Sequence, residues 1–188
     1  MANQLPKGWK VLFSEYLHRE PWLTVRRDEI QYPDGYVNKK YFVLEYPDWV
    51  NVLAITKEGD FLLVRQYRHG MGKTSFEIVA GACDKRDKSP LETAKRELME
   101  ETGYGGGHWQ EWMTIAPNPS TSNNYVHCFL ATDLEKITAP NPDPGEEIST
   151  HLFSFAEVKE MMQNGAIIQA THLAPLWKYI AMQLKPVV

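Results

Sequence analysis

Short apolar and β-branched runs separated by turn residues fill most of the chain, and helical spacing shows in only three places. Trp22-Leu23-Thr24-Val25-Arg26-Arg27 and Tyr41-Phe42-Val43-Leu44-Glu45-Tyr46 have strand character, with a turn signal at Tyr32-Pro33-Asp34-Gly35. Residues 1–47 therefore form a strand-rich extension ahead of a main domain at 48–188. In that domain, Val50 to Thr56 and Phe61 to Tyr67 predict a hairpin closed by Lys57-Glu58-Gly59-Asp60, followed by a short strand from Phe76 to Ala80. Further strands are expected near Trp109 to Ile115, Tyr125 to Ala131 and 148–154. The proline-rich stretch 140–147 reads as a loop, and helices are expected near 155–163 and 170–184. Strands at uneven spacing on either side of a central helix favour an α+β fold over a regular βαβ repeat.

That central helix has clear ends. Ser89 stands at the N-cap, Pro90 at the first helical position and Glu92 three residues after the cap, and Gly103 marks the stop. At 100° per residue, Leu91, Ala94 and Leu98 fall within about 60° and form the core stripe. Glu97, Glu100 and Glu101 span about 100° on the adjoining arc. The pairs 97/100 and 97/101 repel, each by a few tenths of a kcal/mol in an exposed helix and by more where water is excluded. Two readings account for the cluster. It is either a salt-bridged surface helix, for which Glu92 and Arg96 are well spaced, or a set of hard oxygen ligands for Mg²⁺ or Mn²⁺.

Composition narrows the partners. With 188 residues, 43% hydrophobic and 12% aromatic, the chain can bury a substantial core. A net charge of −4 gives no basic footprint for nucleic acid. Cys83 and Cys128 lie in apolar runs without zinc spacing and read as buried free thiols. The six histidines show no HExxH pair, and no GxSxG is present. The N-terminal residues lack the apolar run of a secretion signal, and no stretch approaches the ~18 apolar residues of a membrane span, so a cytoplasmic protein is expected.

Gly81 through Tyr104 closely resembles the Nudix box, a glycine loop leading into a helix with Arg-Glu-hydrophobic-x-Glu-Glu-x-Gly-hydrophobic. Here the second half is complete in Arg96, Glu97, Leu98, Glu100, Glu101, Gly103 and Tyr104. The resemblance implies a Nudix-type α/β/α sandwich with a mixed sheet. It also implies metal binding by Glu97, Glu100 and Glu101 with the Ala80 carbonyl, and an Arg96 that orients the carboxylates. The first half departs from the pattern. Gly81 is one residue too far from Arg96, and the family's first glutamate falls on Lys88, with Asp87 as the only nearby substitute.

Val64-Arg65-Gln66-Tyr67-Arg68, with Phe76-Glu77-Ile78-Val79-Ala80-Gly81 after it, looks like the ADP-ribose and nucleotide-sugar pyrophosphatase branch. That likeness implies substrate contacts at Arg65, Arg68 and Glu77, an N-terminal extension that pairs two subunits, and base stacking by Trp22 or Trp49. Arg65 and Arg68 are three apart and face opposite sides of an extended strand, so one serves the ligand and the other the surface. The loop 116–124 resembles the family's substrate loop but lacks its glutamate. Asn123 remains there as a ligand hydrogen-bonder, and Glu146 and Glu147 are the alternative bases, joining Arg96, Glu100 and Glu101 as catalytic residues. The resulting expectation is an Mg²⁺-dependent homodimeric hydrolase of ADP-ribose or a related nucleoside diphosphate sugar. A non-catalytic nucleotide-binding module, a structural dimerisation protein and a nucleoside triphosphate pyrophosphohydrolase are the alternatives.

Overall fold

The computed structural model describes residues 6–142, 145 and 147–183. The chain divides into two compact units, 1–47 with 116–124, and 48–115 with 125–188. In the first, β1 (Lys10–Glu20), β2 (Leu23–Gln31) and β3 (Val37–Glu45) form an antiparallel sheet in that order. The turn between β2 and β3 closes where Tyr32-Pro33-Asp34-Gly35 marks it, with the Gly35 amide donating to the Tyr32 carbonyl at 3.0 Å. The segment 116–124 joins this sheet: the Leu44 amide donates to the Thr121 carbonyl at 2.7 Å, and the Tyr41 hydroxyl donates to the Ser120 carbonyl at 2.7 Å.

The second unit is built on a mixed eight-stranded sheet. Its strands are β4 (Trp49–Thr56), β5 (Phe61–Arg68), β6 (Lys73–Glu77), β7 (Val79–Ala82), β8 (Tyr104–Gly105), β9 (His108–Ile115), β10 (Val126–Lys136) and β11 (Ile148–Phe153). The order is β11-β5-β4-β10-β8, with β6 beside β5, β7 beside β4 and β9 beside β10. Among the described residues of this sheet, only β4 and β10 pair in parallel. The strand expected over Phe76 to Ala80 is split at Ile78, because the chain pairs with β5 before that residue and crosses to β4 after it.

Alternation along β4 and β5 builds two cores. Val50, Val52, Ala54, Leu62 and Val64 face one side and pack with Ala94 and Leu98 of α1 (Pro90–Thr102). Leu53, Ile55, Phe61 and Leu63 face the other and meet α2 (Phe155–Asn164) and α3 (Ala170–Gln183) through Val158, Met162, Leu176 and Ile180. Both faces are covered, so these strands read as unbroken apolar runs and the unit is the α/β/α sandwich the resemblance implied. Leu98 is fully buried, a contribution of about 1.5–3 kcal/mol. The Ser89 hydroxyl accepts from the Glu92 amide at 3.3 Å, and Gly103 ends α1 at φ 69, where its amide donates to the Met99 carbonyl. The reciprocal half of the cap differs from the expected box: the Glu92 carboxylate accepts from the Lys88 amide, one residue before the cap.

Pro175 stands inside α3 and has no N–H to give the Thr171 carbonyl four residues back. Asn51, a 2%-exposed residue of β4, replaces that donor, its Nδ2 lying 2.8 Å from the Thr171 oxygen. One polar side chain in an apolar strand thus corrects the helix and ties its first turn to the sheet. Asn51→Leu should lower stability by about 1–3 kcal/mol, the penalty of a buried carbonyl left unpaired. In a Pro175→Ala background, where residue 175 regains its N–H, the same substitution should cost clearly less; urea midpoints for the four proteins measure the coupling.

Candidate active site

The core stripe of α1 seats the helix so that Glu97 lies directly over Gly81 of β7. A Cβ at position 81 would fall inside the Glu97 carboxyl group, so only glycine lets strand and carboxylate come this close. Arg96 beside it is three-quarters buried and gathers the acids. Its guanidinium lies 2.9 Å from Glu97 Oε1, 2.8 Å from Glu100 Oε2 and 3.0 Å from Asp87 Oδ2. Burial works against the charge on Arg96. The bond to Asp87 and the Glu97 and Glu100 carboxylates outweigh it and raise the guanidinium pKa. Asp87 is held below its ordinary value, chiefly by Arg96.

Arg96 is therefore the positive group that the repulsion among the glutamates called for. Its partners are not the expected Glu92, whose carboxylate serves the helix cap. Asp87, beside the lysine that replaces the family's first glutamate, supplies the third acid. Glu101 is only 4% exposed. The end of α1 is fastened by Asn141, whose amide donates to the Glu100 carbonyl, and by Thr150, whose hydroxyl donates to the Glu101 carbonyl. Exposed Glu147 stands just ahead of β11; Glu146 lies outside the described residues.

Ala80 and Gly81 also form the wall of a cavity of about 580 Å³, with Trp49 and Asn51 of β4, Arg68 of β5 and Glu77 of β6. Glu77 is 1% exposed. Its Oε1 accepts from Arg68 Nε and from the Ser75 hydroxyl, each at 3.0 Å. Burial disfavours its charge, yet the hydrogen bonds and charge of Arg68, with the Ser75 hydroxyl, bring its pKa below the ordinary value. His172 of α3 completes this wall, fully buried, and burial pushes its pKa down to about 4. Arg65 projects elsewhere: it is exposed and is not part of the cavity wall, as the period of a strand requires. Trp22, in the first unit, is 75% exposed. Asn123, also there, accepts from the Tyr46 amide at 3.3 Å.

Residues 46–173 match the NUDIX domain, and residues 9–44 match the nucleoside diphosphate sugar hydrolase N-terminal domain. The chain belongs to the Nudix family. Among its relatives is an ADP-ribose pyrophosphatase of Mycobacterium tuberculosis, 29% identical over 88% of this chain and 80% of the relative. Another is an ADP-ribose pyrophosphatase of Bacillus subtilis, 36% identical over 68% of each. A crystal structure of an ADP compounds hydrolase shares the fold, with a TM-score of 0.82 at 20% identity over 96% of this chain and 98% of that one.

Nudix hydrolases work with a divalent metal, and the donors here suit one. They are hard carboxylate oxygens, and Glu97 rests on a glycine that brings it against backbone next to Ala80. Among the described residues, no three His, Cys, Asp or Glu side chains are gathered closely enough to hold an ion by themselves. Such a shell needs backbone, water or phosphate oxygens as well, which is the usual habit of Mg²⁺. Asn51, Ser75 and His172 escaped the sequence reading because each is a lone polar residue in an apolar or turn-like run. Their only signal is that polarity at a buried position.

Asp87→Ala should lower the rate of hydrolysis about tenfold by releasing Arg96, with a matching rise in the metal concentration needed for half-maximal rate. His172, neutral in the fold and protonated more readily when unfolded, contributes stability above pH 6.5 that is lost as pH falls toward 4. Thermal melts across that window should therefore drop in the wild type and drop less in His172→Phe.

Proposed function

We propose that this chain hydrolyses the diphosphate bond of ADP-ribose or a related nucleoside diphosphate sugar, releasing a nucleoside monophosphate and a sugar phosphate. The observation that carries the reading is the meeting of two features at Ala80 and Gly81. The acidic helix lays Glu97 on that backbone, and the same backbone walls a cavity holding a cation, a buried acid and an indole. The relatives named as ADP-ribose pyrophosphatases point to the same substrate class.

Glu97, Glu100 and Glu101, with the Ala80 carbonyl, would hold Mg²⁺, with Mn²⁺ as the substitute. Bound there, the ion would neutralise the diphosphate and lower the pKa of the attacking water. Arg96 keeps the Glu97 and Glu100 carboxylates aligned. Arg68, whose side chain is 42% exposed on the cavity wall, steadies negative charge on the phosphates through its planar fork. Trp49 offers the base a stacking face, and Asn51 and Glu77 offer polar groups to its edge or to the ribose. Glu147, or Glu146, takes the proton from the attacking water in place of the glutamate missing from loop 116–124.

The working unit is read as a cytoplasmic homodimer, with Trp22 and Asn123 as further ligand contacts. Among the described residues, no helix is long and apolar enough to cross a membrane. The N-terminal sheet leaves Val11, Phe13, Leu17 and Phe42 between 46% and 51% exposed, an apolar surface suited to a second copy of the chain.

A Glu97→Gln/Glu101→Gln double variant should lose ADP-ribose hydrolysis by about a hundredfold or more. A variant as fast as the wild type under saturating Mg²⁺ would refute the assignment of these ligands. Release of inorganic pyrophosphate from nucleoside triphosphates, with none of the expected products from ADP-ribose, would replace the substrate. Binding of ADP-ribose without turnover in either metal would remove the reaction altogether.

A further inference from the structure

One polar group on the cavity wall has no part in the scheme above. His172 is fully buried, and neither Nδ1 nor Nε2 has a hydrogen-bond partner among the described residues. An apolar ring would serve better at a purely structural position, because an unpaired buried nitrogen destabilises the fold. Nδ1 lies 3.8 Å from Glu77 Oε2. That is too long for a hydrogen bond, yet a shift of less than about 1 Å in ring or carboxylate would make one. The ring is also firmly placed, since Asn51 pins the carbonyl of the preceding residue to the sheet.

Glu77 depends on its donors. It is buried and charged, and Arg68 provides the charge-assisted bonds that keep it so, with Ser75 adding one hydroxyl. Arg68 is the most exposed member of the group, with a long stem and a guanidinium at the cavity wall. A phosphate in the cavity competes with Glu77 for that guanidinium. Were Arg68 simply to turn away, Glu77 would lose its charge-assisted bonds and keep the Ser75 hydroxyl, a costly state for a buried carboxylate short of donors.

We propose that His172 is a positioning residue: when Arg68 turns from Glu77 toward the diphosphate of a bound ligand, the His172 Nδ1–H takes the Glu77 oxygen that Arg68 gives up. The inference rests on the diphosphate reading of the cavity. The charged groups that face the ring are Glu77 and Arg68. Burial keeps the imidazole neutral despite the pull of Glu77, so one ring nitrogen carries a proton and no second charge enters the wall. Exchange of donors in this way leaves Glu77 paired both before and after the ligand arrives.

Steady-state kinetics with ADP-ribose and Mg²⁺ test this in three variants of the full chain. His172→Phe removes the donor, His172→Asn keeps an N–H near the Nδ1 position, and His172→Gln places one near Nε2 instead. His172→Phe and His172→Gln should raise KM about tenfold with kcat within about threefold of wild type, while His172→Asn keeps a near-normal KM. In an Arg68→Ala background, where no donor exchange occurs, the Phe substitution should leave KM unchanged. A wild-type KM in His172→Phe, or an Asn variant as impaired as Phe, overturns the exchange and leaves the diphosphate reading standing. Should Phe fail to fold, the contrast between Asn and Gln decides alone. A wild-type protein inert toward ADP-ribose removes the reading and this proposal with it.

Discussion

The Glu97 carboxylate rests on the backbone of Gly81 at a separation that admits no side chain between them. This approach lets the carboxylate lie against β7, and Leu98 and Ala94, both fully buried, hold the helix there. Much of the site follows from that spacing. Arg96 is brought within reach of Asp87 as well as Glu97 and Glu100. Repulsion among neighbouring glutamates becomes tolerable because one guanidinium answers several of them. A methyl group at position 81 would displace the Glu97 carboxylate from the strand.

The sheet divides the remaining work between its faces. α1 covers one side and carries the acids; α3 covers the other and carries His172, while Asn51 reaches from the sheet to α3. Glu77 and Ala80 stand on either side of the break at Ile78, where the chain leaves β5 for β4. That change of partner lets two short strands present a buried acid and the Ala80–Gly81 backbone to one cavity. An uninterrupted strand paired to β5 alone would keep Ala80 and Gly81 away from β4, and so from Trp49 and Asn51. Buried charge is kept affordable by pairing: Arg68 with Glu77, Arg96 with three acids.

Local signals were sufficient for most of the fold. Short β-branched and apolar runs mark β4 and β5, the Lys57-Glu58-Gly59-Asp60 turn closes their hairpin, and Ser89, Pro90 and Gly103 bound α1, because each depends on residues within a few positions of one another. The acidic arc was equally legible, since helical geometry alone puts Glu97, Glu100 and Glu101 together. The split at Ile78 was not, because pairing partners are chosen by strands distant in sequence. The Glu92 cap was half legible, since backbone geometry at Lys88 decides which amide the carboxylate meets.

The same distinction governs the acidic helix. Its boundaries, its core stripe and its three glutamates are properties of a 3.6-residue period and could be read from the sequence alone. That Arg96 pairs with Asp87 and leaves Glu92 to the cap, and that Glu97 seats on Gly81, required the loop and β7 to fold back onto α1. Likewise, His172 and Glu77 lie 95 positions apart in sequence, and only packing of α3 against the sheet brings their side chains within 3.8 Å. Periodicity is a local property of covalent geometry; which charges meet across elements is decided by burial, where desolvation makes every unpaired group costly and so selects the arrangement that pairs them.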